Sequence, residues 1–271
     1  GQGGSALVIE KSARVEASGS ANAPIVFTAD TLATSPATVA RGDWGGLVLI
    51  GEAPANCGTS CTAEGFPSSA PSYGGNVPTH NCGSLEFVRV EYAGFEVTAG
   101  NELNGITFYG CGTDTTVSHV QSHMGSDDGI EMFGGSFNAD HLVVTGAADD
   151  SLDMDLGFSG QIQYVLIHQD SAPAGDNGFE ISNGGDFAAT PRTNPLIANA
   201  TVVGSGTGDK STGIFLKEQT NFSIWNSILG NYANDATSMT PLMLIVEDDE
   251  TCAEWMAGNI AIDVDIALGD G

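Results

Sequence analysis

Carboxylates recur along the middle of this 271-residue chain at a spacing that could gather cations. One short motif reads Asn104-Gly105-Ile106-Thr107-Phe108, Asp128-Gly129-Ile130-Glu131-Met132, Asp150-Ser151-Leu152-Asp153-Met154, Asn177-Gly178-Phe179-Glu180-Ile181 and Thr212-Gly213-Ile214-Phe215-Leu216. Aligning these copies puts Asp127, Asp149 and Asp176 in one column, and Asp128 and Asp150 beside Asn177 in a second. Glu131, Asp153 and Glu180 form a third, pointing away from the inward Ile130, Leu152 and Phe179. Like charges on adjacent strands repel. Stacked carboxylates therefore need raised pKa values or bound cations. An oxygen-only ligand set suits Ca²⁺ better than a transition metal, so these eight acidic residues are candidate calcium ligands.

The elements that must position them follow from the repeat. The small residues of the motif are separated by 24, 22, 27 and 35 residues. A second motif interleaves, as in Leu85-Glu86-Phe87-Val88, Val117-Ser118-His119-Val120, Ala139-Asp140-His141-Leu142 and Ile162-Gln163-Tyr164-Val165. It continues in Ile197-Ala198-Asn199-Ala200 and Ile224-Trp225-Asn226-Ser227. Two alternating strand types, each with period-two apolar patterning, describe the coils of a solenoid. The reading is all-β: a single right-handed parallel β-helix over residues 1–271. About ten coils would make a rod of roughly 50 Å. Ile106, Ile130, Leu152, Phe179 and Ile214 should form one inward stack. Phe87, His119, His141, Tyr164, Asn199 and Asn226 should stack at a repeated bend.

Residues 52–84, rich in Pro, Gly, Ser and Cys, read as a loop insertion, and 231–258 as a second. Within the latter, Asp248 to Met256, ended by Gly258, reads as a short helix with an acidic start. Residues 259–271 read as a terminal strand. Cys57, Cys61, Cys82, Cys111 and Cys252 lack zinc-finger spacing. They suit loop-stapling disulfides in an oxidising compartment, with one thiol left over and the pairing open.

The runs "ANAPIVFTAD…RGDWGGLVLIGEAP", "LEFVRVEYAG", "NELNGITFYG", "GSDDGIEMFGG" and "DDSLDMDLGFSG" resemble a family of bacterial secreted or lipid-anchored surface proteins. The resemblance covers most of residues 5–230. It implies the pectate-lyase-like β-helix fold and an extracellular or cell-surface location, and carries no activity with it.

With 34 acidic against 7 basic residues, the net charge is −27. Nucleic acid and anionic lipid are excluded as partners, because phosphate contacts need Lys and Arg. No apolar run approaches the roughly 18 residues of a membrane span. The chain begins Gly1-Gln2-Gly3-Gly4 and runs straight into a strand, as expected once a leader has been removed. Paired carboxylates also serve glycoside hydrolysis. The chain has no Gly-His-Gly and no Arg-Ile-Lys of the β-helical polygalacturonases, and none of Arg14, Arg41, Arg89 and Arg192 lies in the acidic repeats.

The reading is therefore a non-enzymatic, secreted structural solenoid that associates head to tail into fibres. Ala6, Leu7, Val8 and Ile9 at one end, and Ile260, Ile262, Val264, Ile266 and Leu268 at the other, would supply the pairing edges. The alternative is a calcium-dependent carbohydrate-binding or carbohydrate-cleaving protein. On that reading Tyr109 and Phe133, which share an outward column beside the carboxylates, would contact an extracellular glycan.

Overall fold

The computed structural model describes residues 4–66, 70–170, 176–206, 212–232 and 243–267. The chain winds as a parallel β-helix. Each turn gives one strand to each of two sheets. The first sheet runs Ala6–Ile9, Gly46–Ile50, Ile106–Tyr109, Ile130–Phe133, Leu152–Asp155, Asn177–Ile181, Thr212–Leu216 and Leu244–Val246. The second runs Val15–Ser18, Gly83–Glu91, Thr116–His123, Ala139–Thr145, Gln161–His168, Leu196–Val203, Phe222–Gly230 and Ile260–Ala267. Ile25–Phe27 also pairs with the latter half of Gly83–Glu91. The described residues thus make eight turns rather than ten, because the long steps between repeats are insertions within a turn.

The expected inward stack forms. Leu47, Ile106, Ile130, Leu152, Phe179, Ile214 and Leu244 pair in successive register. All except the last-coil Leu244 are buried in one continuous core. The small residue of the motif has a steric cause. A Cβ on Gly105 would lie 2.4 Å from the Gly129 carbonyl oxygen, and one on Gly129 2.4 Å from Val144 of the facing sheet.

The second motif bends in mid-strand. Phe87, His119, His141, Tyr164, Asn199 and Asn226 all have positive φ, between 50° and 60°. Val117–Ser118 pairs with Ala139–Asp140, and pairing resumes at Val120 with Leu142, leaving the His residues out of the ladder. The bend resets the alternation, so Leu85, Val88 and Val90 all face inward and are buried. The bend side chains stack as expected. Ring centroids lie 4.3 Å apart for Phe87–His119, 4.2 Å for His119–His141 and 4.8 Å for His141–Tyr164. Asn226 Nδ2 donates to Asn199 Oδ1 at 2.5 Å. His119, Asp140 and His141 lie close enough to share an ion. Yet the two imidazoles are nearly parallel, and both Nδ1 atoms already contact Ser118 or Asp140. The arrangement is that of a stacking ladder.

Two insertions are redrawn. Residues 52–84 carry a hairpin, Cys61–Thr62 with Ser72–Tyr73, and already enter the second sheet at Gly83. Cys57–Cys61 closes a tight loop that leads into the hairpin, and Cys82–Cys111 ties the exit of the insertion to the end of Ile106–Tyr109. Residues 231–258 are not one excursion, because Leu244–Val246 is a coil strand paired with Thr212–Leu216. The helix is found at Asp249–Met256, with the Asp248 side chain capping Thr251 N–H and Gly258 at φ 84°. Cys252, on this helix, is the free thiol.

Four of the nine apolar side chains expected to reach a neighbouring subunit pack on this chain's own core. Ile260, Ile262 and Val264 pack on the core, as does Ile9. Ala6 and Val8 pack on a second apolar cluster outside the first sheet, while Leu7 is exposed. Ile266 pairs through its backbone with Leu229. Leu268 lies outside the described residues.

Left-handed backbone costs a non-glycine residue about 1–2 kcal/mol, and most for a β-branched one. His141→Val should therefore be less stable than His141→Gly by about that amount. Both variants lose the ring stack, so denaturant unfolding of the pair isolates the backbone contribution.

Candidate metal centre

The outer face of the first sheet carries a strip of carboxylates bracketed by apolar residues. Along one outward column the order is Val48, Thr107, Glu131, Asp153, Glu180, Phe215 and Ile245. The next outward column holds Ile50, Tyr109, Phe133 and Asp155. The hairpin insertion covers this face. Its Ala55, Cys61, Ala63 and Tyr73 pack with Val48, Ile50, Leu103, Tyr109 and Phe133 into a second apolar cluster.

This cover changes the character of the carboxylates. Four of them are withdrawn from solvent, while Asp127 and Glu180 are partly buried and Asp149 is exposed. Asp128 is 7% exposed, Glu131 5%, Asp150 5% and Asp153 9%. Tyr109 and Phe133 share their column, with near-parallel rings 4.8 Å apart, and are buried against Tyr73. They offer no surface to a glycan, which corrects the role expected for them.

The ends and the middle of the strip are neutralised differently. At one end Asn104 donates its amide to Thr107 and to Glu131. At the other Asn177 donates to Glu180 Oε2 at 3.1 Å, and Lys217 Nζ pairs with Glu180 Oε1 at 2.5 Å. In the two middle coils the same three-residue step sets carboxylate against carboxylate, Asp128 with Glu131 and Asp150 with Asp153. One oxygen of each leading Asp is engaged by the next coil. Asp150 N–H donates to Asp128 Oδ1 at 2.9 Å, and Asn177 N–H to Asp150 Oδ1 at 2.7 Å. Asp153 Oδ1 is buried with no hydrogen-bond partner.

Ligand atoms lie within 4.8 Å of one another in three overlapping sets: Asp127, Asp128 and Asp149; Asp128, Glu131 and Asp153; Asp150, Asp153 and Glu180. Seven of the eight acidic residues singled out by the repeat thus converge. Asp176 falls outside these sets, and its backbone continues the coil ladder between Asp149 and Thr212. The repeat did not reveal Glu64, which reaches the strip from the insertion and lies in hydrogen-bonding range of Glu131. Nor did it flag Lys217, one residue past the fifth motif. Asp155 was not singled out either, although the repeat carries its signal as the Asp153 coil's counterpart of Tyr109 and Phe133.

Burial first, and neighbouring carboxylates second, push Asp128, Glu131, Asp150 and Asp153 well above the ordinary carboxylate range. The same causes raise Asp127 to about 7. Burial also raises Glu64 and Asp155. For Lys217 burial works in the opposite sense, but the hydrogen bond and charge of Glu180 prevail and hold the ammonium above its usual value. One ammonium against this many carboxylates leaves an excess of negative charge in a buried place. Each unpaired buried ion costs several kcal/mol, against a total stability of about 5–15 kcal/mol. The strip must take up protons or a cation.

The family model for a pectate-lyase-like β-helix domain matches residues 3–266. The chain belongs to this family. Comparison with curated proteins and with solved structures returns no match. The family assignment agrees with the fold on the page and leaves the chemistry of the strip to be argued from its residues.

Raised carboxyl pKa values fix a sign. A group that binds its proton more tightly when folded stabilises fully below its unfolded pKa and loses that contribution as pH rises through its folded pKa. In chelator, the melting temperature should therefore fall as pH rises from about 4 to beyond 7, the window between unperturbed carboxylates and Asp127. A thermal-melt series across that range checks it.

Proposed function

We propose that this protein is an extracellular structural solenoid whose acidic strip holds calcium, locking the hairpin insertion onto the coil. The observation that carries this reading is Asp153. Its Oδ1 is buried without a partner, inside two sets of oxygen ligands contributed by adjacent coils. Ca²⁺ takes six to eight oxygens in flexible geometry, and the strip offers carboxylates and the amide oxygen of Asn104, also buried without a partner. Glu64 joins from the insertion, so an ion here would bridge lid and coil.

Two disulfides, and no helix long and apolar enough to cross a membrane among the described residues, support an extracellular setting. A carbohydrate-related role is compatible with the family. The geometry favours a structural role instead, because Asp128, Glu131, Asp150 and Asp153 are buried and no arginine contacts them among the described residues. Arg41 pairs with Asp170 and Arg89 with Glu91. End-to-end pairing belongs to the same reading. Ala6–Ile9 and Ile260–Ala267 each have a strand neighbour on one side only among the described residues, and main-chain pairing could extend there.

At a hundredfold excess over Kd, a ligand specific to the folded state adds about 2.7 kcal/mol. Calcium should then raise the melting temperature by roughly 5–10 °C at neutral pH. Asp153→Asn should melt higher than wild type in chelator, because it removes a buried like charge, and should lose the calcium response. An Asp153→Asn protein that keeps the full response would contradict the site.

A further inference from the structure

The acidic strip is closed differently at its two ends, and the difference is one of charge. At one end Asn104 lends a neutral amide whose Oδ1 is buried without a hydrogen-bond partner, and Thr107 and Val48 continue the column. At the other end stands a full positive charge. Lys217 Nζ lies 2.5 Å from Glu180 Oε1 and 5.5 Å from the centre of the Phe215 ring. Phe215 is the neighbour of Glu180 on the next coil. The charge of Lys217 also acts on Asp153 and Asp155.

The backbone beside Lys217 is fixed on both sides. Its own N–H donates to the Ile181 carbonyl at 3.0 Å. Glu218 and Gln219, which follow, both have φ of 61°, two successive left-handed residues without a glycine. Such strain persists only where its surroundings over-determine it. Here Glu218 N–H donates to Asp248 Oδ2 at 2.6 Å and Gln219 N–H to Thr251 Oγ1 at 2.8 Å, both at the start of the helix Asp249–Met256. The ammonium therefore reaches the strip from an anchored turn.

We infer that Lys217 is the strip's own cation: it fills the seat made by Asp150, Asp153 and Glu180, and so confines calcium to the seat made by Asp128, Glu131 and Asp153. The inference rests on the calcium reading above. The two seats share Asp153, whose Oδ1 is buried without a partner. They differ in what else is open. In the Lys217 seat both oxygens of Glu180 are engaged, Oε1 by Lys217 and Oε2 by Asn177. A calcium ion on Glu180 would sit about 2.3–2.6 Å from a carboxylate oxygen. Ion and ammonium would then compete for one carboxylate and repel each other across it. In the other seat Asn104 Oδ1 is open, Glu64 adds a carboxylate from the insertion, and no ammonium or guanidinium contacts the group among the described residues. Calcium is thereby directed to the place where the insertion meets the coil.

Equilibrium dialysis of the full chain against saturating calcium, which counts ions per molecule, tests this. Lys217→Met should bind one calcium more than wild type. Lys217→Arg keeps the charge and should bind as wild type does. Adding Glu180→Gln to Lys217→Met removes the outer carboxylate of the vacated seat and should return the count to that of wild type. If Lys217→Met unfolds in chelator, calcium should restore its melting transition, and a transition that does not return overturns the inference. A folded Lys217→Met with the wild-type count overturns the inference and leaves the calcium reading standing. An extra ion in Lys217→Arg, or one that survives Glu180→Gln, also overturns it. No ion on wild type but one on Lys217→Met overturns the calcium reading and sustains the role of Lys217. No ion on either overturns both.

Discussion

Everything in this molecule follows from one constraint: each strand hydrogen-bonds to its own counterpart about 4.8 Å away on the next coil. A residue therefore has as its nearest neighbours the residues at the same place in the coils above and below. For apolar side chains that costs nothing, and the column from Leu47 to Ile214 fills the interior by repetition. For bend residues it creates a ladder of stacked rings and amides. For carboxylates it forces like charges together, and the fold has to supply a remedy at each one. Asn104, Asn177 and Lys217 supply it at the ends of the acidic strip. In the middle coils no amide or ammonium stands in the equivalent place.

The insertion turns that local conflict into a buried one. Without its cover, the carboxylates would be screened by water at little cost. With Tyr73, Ala63 and Cys61 packed over Tyr109 and Phe133, the strip is withdrawn from solvent and its protons are held tightly. Tyr73 and Tyr109 are themselves held neutral, by burial first and then by the charges of the strip. On the proposed reading, a cation shared by Glu64, Glu131 and Asp153 would join the insertion to the coil.

Periodicity made the coil legible, because the inward column, the bend column and the seven acidic residues of the ligand sets all repeat. What did not repeat could not be read. The cover over Tyr109 and Phe133 comes from 52–84, whose sequence has no period, so in sequence an outward column reads as a surface column. Glu64 is hidden for the same reason. Leu244–Val246 was absorbed into an insertion because it is short and its turn lacks the acidic motif. The terminal strand shows the converse. The alternation of Ile260, Ile262 and Val264 was plain, but a strand that completes its own sheet and one that seeks another chain look alike in sequence.

Terbium luminescence tests the central claim most directly. Tb³⁺ takes oxygen sites as Ca²⁺ does and emits when a neighbouring aromatic ring is excited, and Tyr73 and Tyr109 sit beside the strip. The account predicts sensitised emission that saturates on titration, is displaced by calcium, and is lost in Asp153→Asn and weakened in Tyr73→Phe. Emission that survives Asp153→Asn unchanged, or that calcium cannot displace, would mean that no ion is held between the insertion and the coil.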